Sequence, residues 1–395
     1  MSVVARVRRS RWTPIVALVI ASRVVLSCLG VVSGNVLDDV RPAETVAMHA
    51  QLEAARADIS ASRLFSQWYN WDALHYENLS RSWFEIDLPL QPSVVTADGH
   101  EAWGEFSWPP LYPWAIGLLH LVFRLDAGQL MLLINLVLFA VLLWLVRARE
   151  EQDGRPGGAA MLAVVAAPFS FFLSSALSEP LFVVLAAWSL LMLRRQRWGV
   201  AGLAAGLAAW TRNAGVYMTI PLAVAALVEH RRRRGQPASV RLVPWLAPAL
   251  SAGGFVTFRL FAWALTGTPR APELSQRYGW GNSLGNPFTN LMGGITHWQY
   301  AVVAAMLMLV IVLAARGHLC AVEATYCAVM LLAACMVDGL HGAAPRFVAV
   351  AFPIFPALAR WAGQRGGVGA LVATSGAIQG AMFVLWTNYW LTAMF

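Results

Sequence analysis

Long apolar blocks separated by short arginine clusters constrain this chain more than any other feature. They run at about 13–33, 128–147, 158–175, 177–193, 198–211, 214–229, 242–266, 298–315, 319–337, 345–361 and 367–391. Most approach the ~20 residues a helix needs to cross a bilayer. Only 13% of the 395 residues are charged and 58% are hydrophobic, against about 25% charged in a soluble domain. Too little charge remains to cover a water-facing surface. The pattern predicts an all-α polytopic membrane protein and excludes a soluble enzyme, a disordered scaffold or a secreted disulfide module. Cys28, Cys320, Cys327 and Cys335 fall inside apolar blocks without CxxC spacing, which indicates neither a metal site nor a disulfide framework.

The net charge is +8, and every one of the 29 basic residues is arginine. In a soluble chain this excess would point to nucleic acid. Here the arginines sit between apolar blocks, where they set orientation, so nucleic acid is not an expected partner. The run 231–234 reads as a topology anchor touching anionic membrane lipid. The basic start, Arg6 to Arg11, precedes an apolar run with no clear cleavage site, so it reads as a retained first span. Placing the arginine clusters inside gives eleven spans, N-terminus in and C-terminus out. The first outer loop then covers about 34–127, with 110–123 as an interfacial helix anchored by Trp108, Tyr112 and Trp114. The whole chain, 1–395, reads as one integral-membrane domain. Polar, aromatic and acidic residues collect on the outer side, as in an enzyme facing outward. A transporter more often shows broken helices and paired repeats, and no internal repeat is evident.

The densest polar segment is Trp68-Tyr69-Asn70-Trp71-Asp72-Ala73-Leu74-His75-Tyr76-Glu77-Asn78-Leu79. On a helix, Asp72, His75 and Tyr76 share a face. A carboxylate beside aromatic rings suits a sugar site, where it takes a hydroxyl proton. The competing reading is an N-terminal helix cap within an aromatic belt, and residue types alone leave both open. Phe106-Ser107-Trp108-Pro109-Pro110-Leu111-Tyr112-Pro113 forms a rigid turn into the next helix. Glu179, before Pro180, is an ionisable group next to bilayer depth or a capping carboxylate. Arg212 interrupts an apolar run on the outer side and should meet an anion such as a lipid phosphate. Arg23 and Arg259 lie within spans, where they can snorkel or pair. Asp338, His341 and Arg346 form a last outer cluster. No nucleotide-binding loop, zinc motif or nucleophile elbow is present, so no cofactor and no metal are expected.

These segments, in this order, resemble the PIG-V-like mannosyltransferases of the GT-C class of polytopic glycosyltransferases. Ala21-Ser22-Arg23-Val24-Val25 is similar to the family's arginine-containing first span, and Trp71-Asp72-Ala73-Leu74-His75-Tyr76 to its Trp-Asp signature. The Phe106–Pro113 segment resembles a Phe-Phe-Pro-x-Tyr-Pro element, departing at Trp108 and Pro110. Leu177–Phe182, Trp210–Gly215 and Arg346-Phe347 with Phe352-Pro353 resemble further family segments. Gly267-Thr268-Pro269 with Gln276 and Trp280 resembles a family loop in which Thr268 stands in place of an acid.

The resemblance implies a GT-C-like bundle of about 11 transmembrane helices. It also implies a polyprenyl- or dolichyl-phosphate sugar donor, transfer of mannose, and inversion at the outer face. It makes Asp72 the catalytic base. Trp71, His75, Tyr76, Tyr112, Glu179, Arg212 and Arg346 become substrate-binding residues, the two arginines meeting the phosphate. The acceptor stays open between glycolipid, glycan and protein. The absence of lysine and the short loops read as bacterial, with the site facing the periplasm or the outside of the plasma membrane. The alternative is a lipid or glycolipid flippase without transferase activity, in which Arg23 or Arg259 would be the essential group.

Overall fold

The computed structural model describes residues 3–37, 50–60, 62–70, 72–82, 90–292, 297–338 and 340–388. The chain is an all-α polytopic membrane protein. Five helices are long and apolar enough to cross a bilayer: Trp12–Leu37, Ala127–Gln152, Ala238–Thr266, Trp298–Ala315 and Val368–Thr387. Leu111–Phe123, Trp198–Thr211 and Ala321–Ala333 are shorter apolar helices. Glu179–Arg194 and Thr219–Arg232 are further helices of 16 and 14 residues, and the blocks 158–175 and 345–361 are interrupted. Two short antiparallel pairs, Val94–Val95 with Glu101–Ala102 and Ser283–Leu284 with Val337–Asp338, are the strands among the described residues.

The main interruption lies where two spans, 158–175 and 177–193, are expected. The helix Gly158–Val165 stops before Pro168, and the next begins at Glu179 with Pro180 in its first turn. A proline cannot donate to the carbonyl four residues earlier, whereas at a helix start its missing N–H costs nothing. Residues 169–180 between and at these ends are all buried. Buried non-helical backbone must find partners inside the protein. Gln379 Nε2 donates to the carbonyls of Val165 and Ala167 at 3.0 and 2.8 Å. Arg23 Nη2 donates to the Ser170 carbonyl at 3.0 Å. Asn135 Nδ2 donates to the carbonyls of Ser175 and Leu177, and the Ala176 N–H donates to the Trp68 carbonyl at 3.0 Å. Polar side chains from three long helices therefore hold one irregular segment, which the composition of the apolar blocks does not reveal.

The block 345–361 is broken likewise, at Pro353, into Ala344–Val350 and Ile354–Gly363. Glu179, after the first break, and Arg346, in the helix before the second, each lie near a helix start at the same end of the bundle, here called the site end. At the opposite end, arginines and acids form a dense network. Glu150 is only 2% exposed and pairs with Arg149, Arg155 and Arg360. Arg149 also reaches Asp153 at 2.6 Å and Glu323 at 2.7 Å.

The helix Trp198–Thr211, which delivers Arg212, packs closely along Leu246–Thr266. A Cβ added at Gly254 would lie 2.3 Å from Gly206 Cα and 2.5 Å from its carbonyl oxygen, so the two backbones meet only because both residues are glycine. Gly253, one residue away, faces open space. Gly254→Ala should cost about 1–3 kcal/mol through forced separation of the helices, lowering the melting temperature in detergent. Gly253→Ala should be neutral or stabilising by up to ~1 kcal/mol through helix propensity. Equal melting of the two variants would refute this close packing.

Candidate active site

The helix Asp72–Ser82 carries its acid at its first position, where a negative charge faces the positive end of the helix. The spacing of Asp72, His75 and Tyr76 turns all three towards the bundle. Asp72 Oδ2 accepts from Arg346 Nη1 at 2.6 Å. Arg346 also donates through Nε to Glu179 Oε1. The same Glu179 oxygen lies 2.6 Å from Arg212 Nη1. The result is a row of alternating charges, Asp72, Arg346, Glu179, Arg212. The positions span 274 residues of sequence between Asp72 and Arg346.

Side-chain exposure falls from 25% at Asp72 to 8% at Arg346 and 0% at Glu179, and is 16% at Arg212. Charges at this depth persist only when paired, and here two carboxylates cancel two guanidiniums. The pairing is incomplete in one respect. Arg346 Nη2 and Glu179 Oε2 are buried and have no hydrogen-bond partner. Burial pushes the Asp72 carboxyl up, but Arg346, by charge and hydrogen bond, overcomes this, with smaller help from His75 and Arg212. The group lies below its ordinary value of 3.8. Burial likewise holds the His75 imidazole below 6.5, against the pull of Asp72, so it is neutral at pH 7. Burial raises the Tyr76 phenol, which stays protonated.

Hydroxyl and amide groups brace the row. The Tyr76 hydroxyl and Ser178 Oγ share a hydrogen bond of 2.6 Å. Arg212 Nη1 donates to Ser178 Oγ at 3.2 Å. Tyr76 packs edge-on against Tyr112, with ring centroids 5.1 Å apart, and the Tyr112 hydroxyl accepts from Asn135 Nδ2 at 2.9 Å. The amide that secures the broken segment thus also fixes a tyrosine of the site. Next to Asp72, His75 stacks on Trp108 at 4.3 Å and meets the edge of Trp280 at 5.2 Å. These rings form an aromatic wall open to solvent, Trp280 being 47% exposed.

Of the residues singled out in the sequence, Asp72, His75, Tyr76, Tyr112, Glu179, Arg212 and Arg346 lie together. Trp71 lies outside the described residues, and so does the side chain of His341. Arg259 stands apart, paired with Glu273 at 3.0 Å. Arg23 has no carboxylate partner among the described residues; its guanidinium lies 4.2 Å from the centre of the Phe139 ring. Sequence reasoning missed Ser178 and Asn135. Asn135 carried a usable signal, a polar side chain inside an apolar block. Trp108, expected as a headgroup anchor, instead stacks on His75.

No protein-family model and no curated protein matches the chain. Among solved structures, it is similar to ArnT from Cupriavidus metallidurans bound to undecaprenyl phosphate, with a TM-score of 0.50 and 13% sequence identity. The match covers 88% of this chain and 77% of that one. At this identity the likeness is one of fold.

Proposed function

We propose that this chain, as one integral-membrane catalytic domain, is an inverting glycosyltransferase. It takes a sugar from a polyprenyl-phosphate donor to an acceptor hydroxyl at the extracytoplasmic membrane face. Mannose as the sugar rests on the PIG-V-like resemblance alone. The observation that carries the reading is the Asp72–Arg346–Glu179–Arg212 row beside the His75–Trp108–Trp280 wall, at one end of an apolar helical bundle. The undecaprenyl phosphate bound to ArnT supports a lipid-phosphate donor, and arginines facing inwards at bilayer depth suit that phosphate.

In this reading the donor's phosphate enters beside Arg346 and Arg212. The free Arg346 Nη2 gives it a first hydrogen bond, and the phosphate then competes with Asp72 for the rest of the guanidinium. Asp72, released from its partner, becomes a stronger base. It takes the proton of the acceptor hydroxyl, whose oxygen bonds to the anomeric carbon from the side opposite the phosphate. The carbon–oxygen bond to the phosphate breaks, and its electron pair leaves with the lipid phosphate, where the arginines meet the developing charge. Glu179 stays buried and keeps both arginines aimed at one place. The arginines supply the positive charge, so the reading includes no metal. The flippase alternative has one favourable observation, the broken helix at 166–178. Its polar groups, however, are largely taken up by Arg23, Asn135 and Gln379 within the protein.

Three outcomes are expected. In detergent, with labelled polyprenyl-phosphate-mannose, a membrane lipid extract and EDTA, the wild-type chain transfers sugar. Asp72→Asn lowers the rate by ~10²-fold or more, the range of a lost general base; equal transfer by both proteins would remove Asp72 from the chemistry, and no transfer by either would favour the flippase. Second, wild-type kcat/KM shows no carboxylate inflection between about pH 5 and 8, because Arg346 keeps Asp72 ionised well below that window. Third, in Arg346→Gln the upward push of burial is unopposed. An acid limb then appears at higher pH in that variant, rate being lost as Asp72 protonates. An unchanged limb in the residual activity would sink the proposed control of Asp72 by Arg346.

A further inference from the structure

A second feature of the site end is a cavity of about 360 Å³ between the tip of the 94–102 hairpin and the end of the Leu246–Thr266 helix. Its walls include Gly99, His100, Glu101, Thr266, Gly267 and Thr268. The volume falls within the range of small-molecule sites. The hairpin is held in place. Thr96 N–H donates to the His100 carbonyl at 2.9 Å, and Leu90 N–H donates to the Leu265 carbonyl at 3.0 Å. Trp103 Nε1 donates to the Leu90 carbonyl at 2.9 Å. The cavity therefore exists before any ligand arrives.

Its chemistry selects a class of ligand. The Glu101 carboxylate has no hydrogen-bond or ion-pair partner among the described residues. The carbonyls of Ala262, Trp263 and Leu265 at the end of the helix already accept from Thr266, Gly267 and Leu90, so the acceptors left to a ligand are the Glu101 carboxylate and the Thr266 and Thr268 hydroxyl oxygens; Gly267 caps the helix in the left-handed conformation, at φ 75°. A Cβ at Gly99 or Gly267 would meet nothing within 4 Å, so a ligand can approach the backbone at both. An anion is disfavoured by Glu101 and by the negative end of the helix. An apolar ligand would leave these acceptors without donors. A neutral molecule rich in hydroxyl groups satisfies them.

Aromatic rings extend from the cavity towards Asp72. His100 stacks on Tyr278, ring centroids 4.6 Å apart and nearly parallel. Trp280, two residues along, meets Trp108 and His75 edge-on, each at 5.2 Å. His75 lies one helical turn from Asp72. We propose that the cavity is a subsite for the distal part of a carbohydrate acceptor, so that the acceptor is a glycan of more than one sugar residue. The sugar receiving the transfer lies at Asp72 and the preceding ones rest between Glu101 and Thr268. This rests on the transferase reading and specifies its acceptor as a glycan rather than a single polar headgroup or a protein side chain.

The test is a direct binding measurement on the full chain in nanodiscs, by saturation-transfer NMR and titration. The probes are α-mannotriose, maltotriose and chitotriose, with mannose as the single-sugar comparison. At least one trisaccharide should bind ~10-fold or more tightly than mannose. Glu101→Gln and Thr268→Val should each weaken that trisaccharide several-fold, and His100→Ala provides a third probe if either variant fails to fold. Asp72→Asn should keep the binding while losing transfer, which separates this proposal from the catalytic one. No advantage for any trisaccharide, or binding untouched by the cavity variants, would overturn the subsite. Transfer surviving in Asp72→Asn would overturn only the role of Asp72 as base, and no transfer by the wild-type chain would overturn the transferase reading while leaving the cavity result standing.

Discussion

The buried pairing of Arg346 with both Asp72 and Glu179 is the constraint on which the rest of the site depends. Arg346 is the arginine that pairs with Asp72, Glu179 shares its charge between Arg346 and Arg212, and Arg346 itself has no other described counter-charge. Removing one member of such a pair strands the others, a loss of about 3–5 kcal/mol in buried settings. Three segments must therefore be in register at once: the start of the Asp72–Ser82 helix, the start of Glu179–Arg194, and the helix Ala344–Val350. Arg212, arriving after Trp198–Thr211, adds a fourth. The row is a joint between parts of the chain that share no local structure.

The broken segment explains how this joint is supported. A continuous helix through 158–193 would carry Glu179 in mid-helix, with its backbone closed to neighbours. The stop before Pro168 and the restart at Pro180 instead put Glu179 and Ser178 at a helix start. Arg23, Asn135 and Gln379 each answer a carbonyl there. The same Asn135 holds the Tyr112 hydroxyl, and Tyr112 packs on Tyr76. Backbone satisfaction and site geometry are here one arrangement.

Much of this was legible in the sequence, for physical reasons that differ by residue. Block length and low charge specify a helical membrane protein because the bilayer tolerates little else. Asp72, Glu179, Arg212 and Arg346 stood out because ionisable groups near apolar runs are costly, and the structure brings all four together. Their pairing was not legible: which arginine meets which acid depends on packing between helices far apart in the chain. The restart at Glu179 was marked by Pro180, but the early stop was hidden because 158–175 is apolar apart from its serines and reads as one span, and Pro168 alone does not say that the chain stays irregular to Ser178. Trp108 was misread as an interfacial anchor because an aromatic ring on a turn looks the same whether it faces lipid headgroups or a histidine.

The network at the other end of the bundle bears on how substrates travel. Glu150, Asp153 and Glu323 tie together the ends of Ala127–Gln152, Glu179–Arg194, Ala321–Ala333 and Ile354–Gly363 through Arg149, Arg194 and Arg360. To open a passage there, these helices would have to part and leave several charges uncompensated together. Rocking between two openings is thus costly. On the proposed transferase reading, a lipid carrier that enters at the site end leaves by that same end.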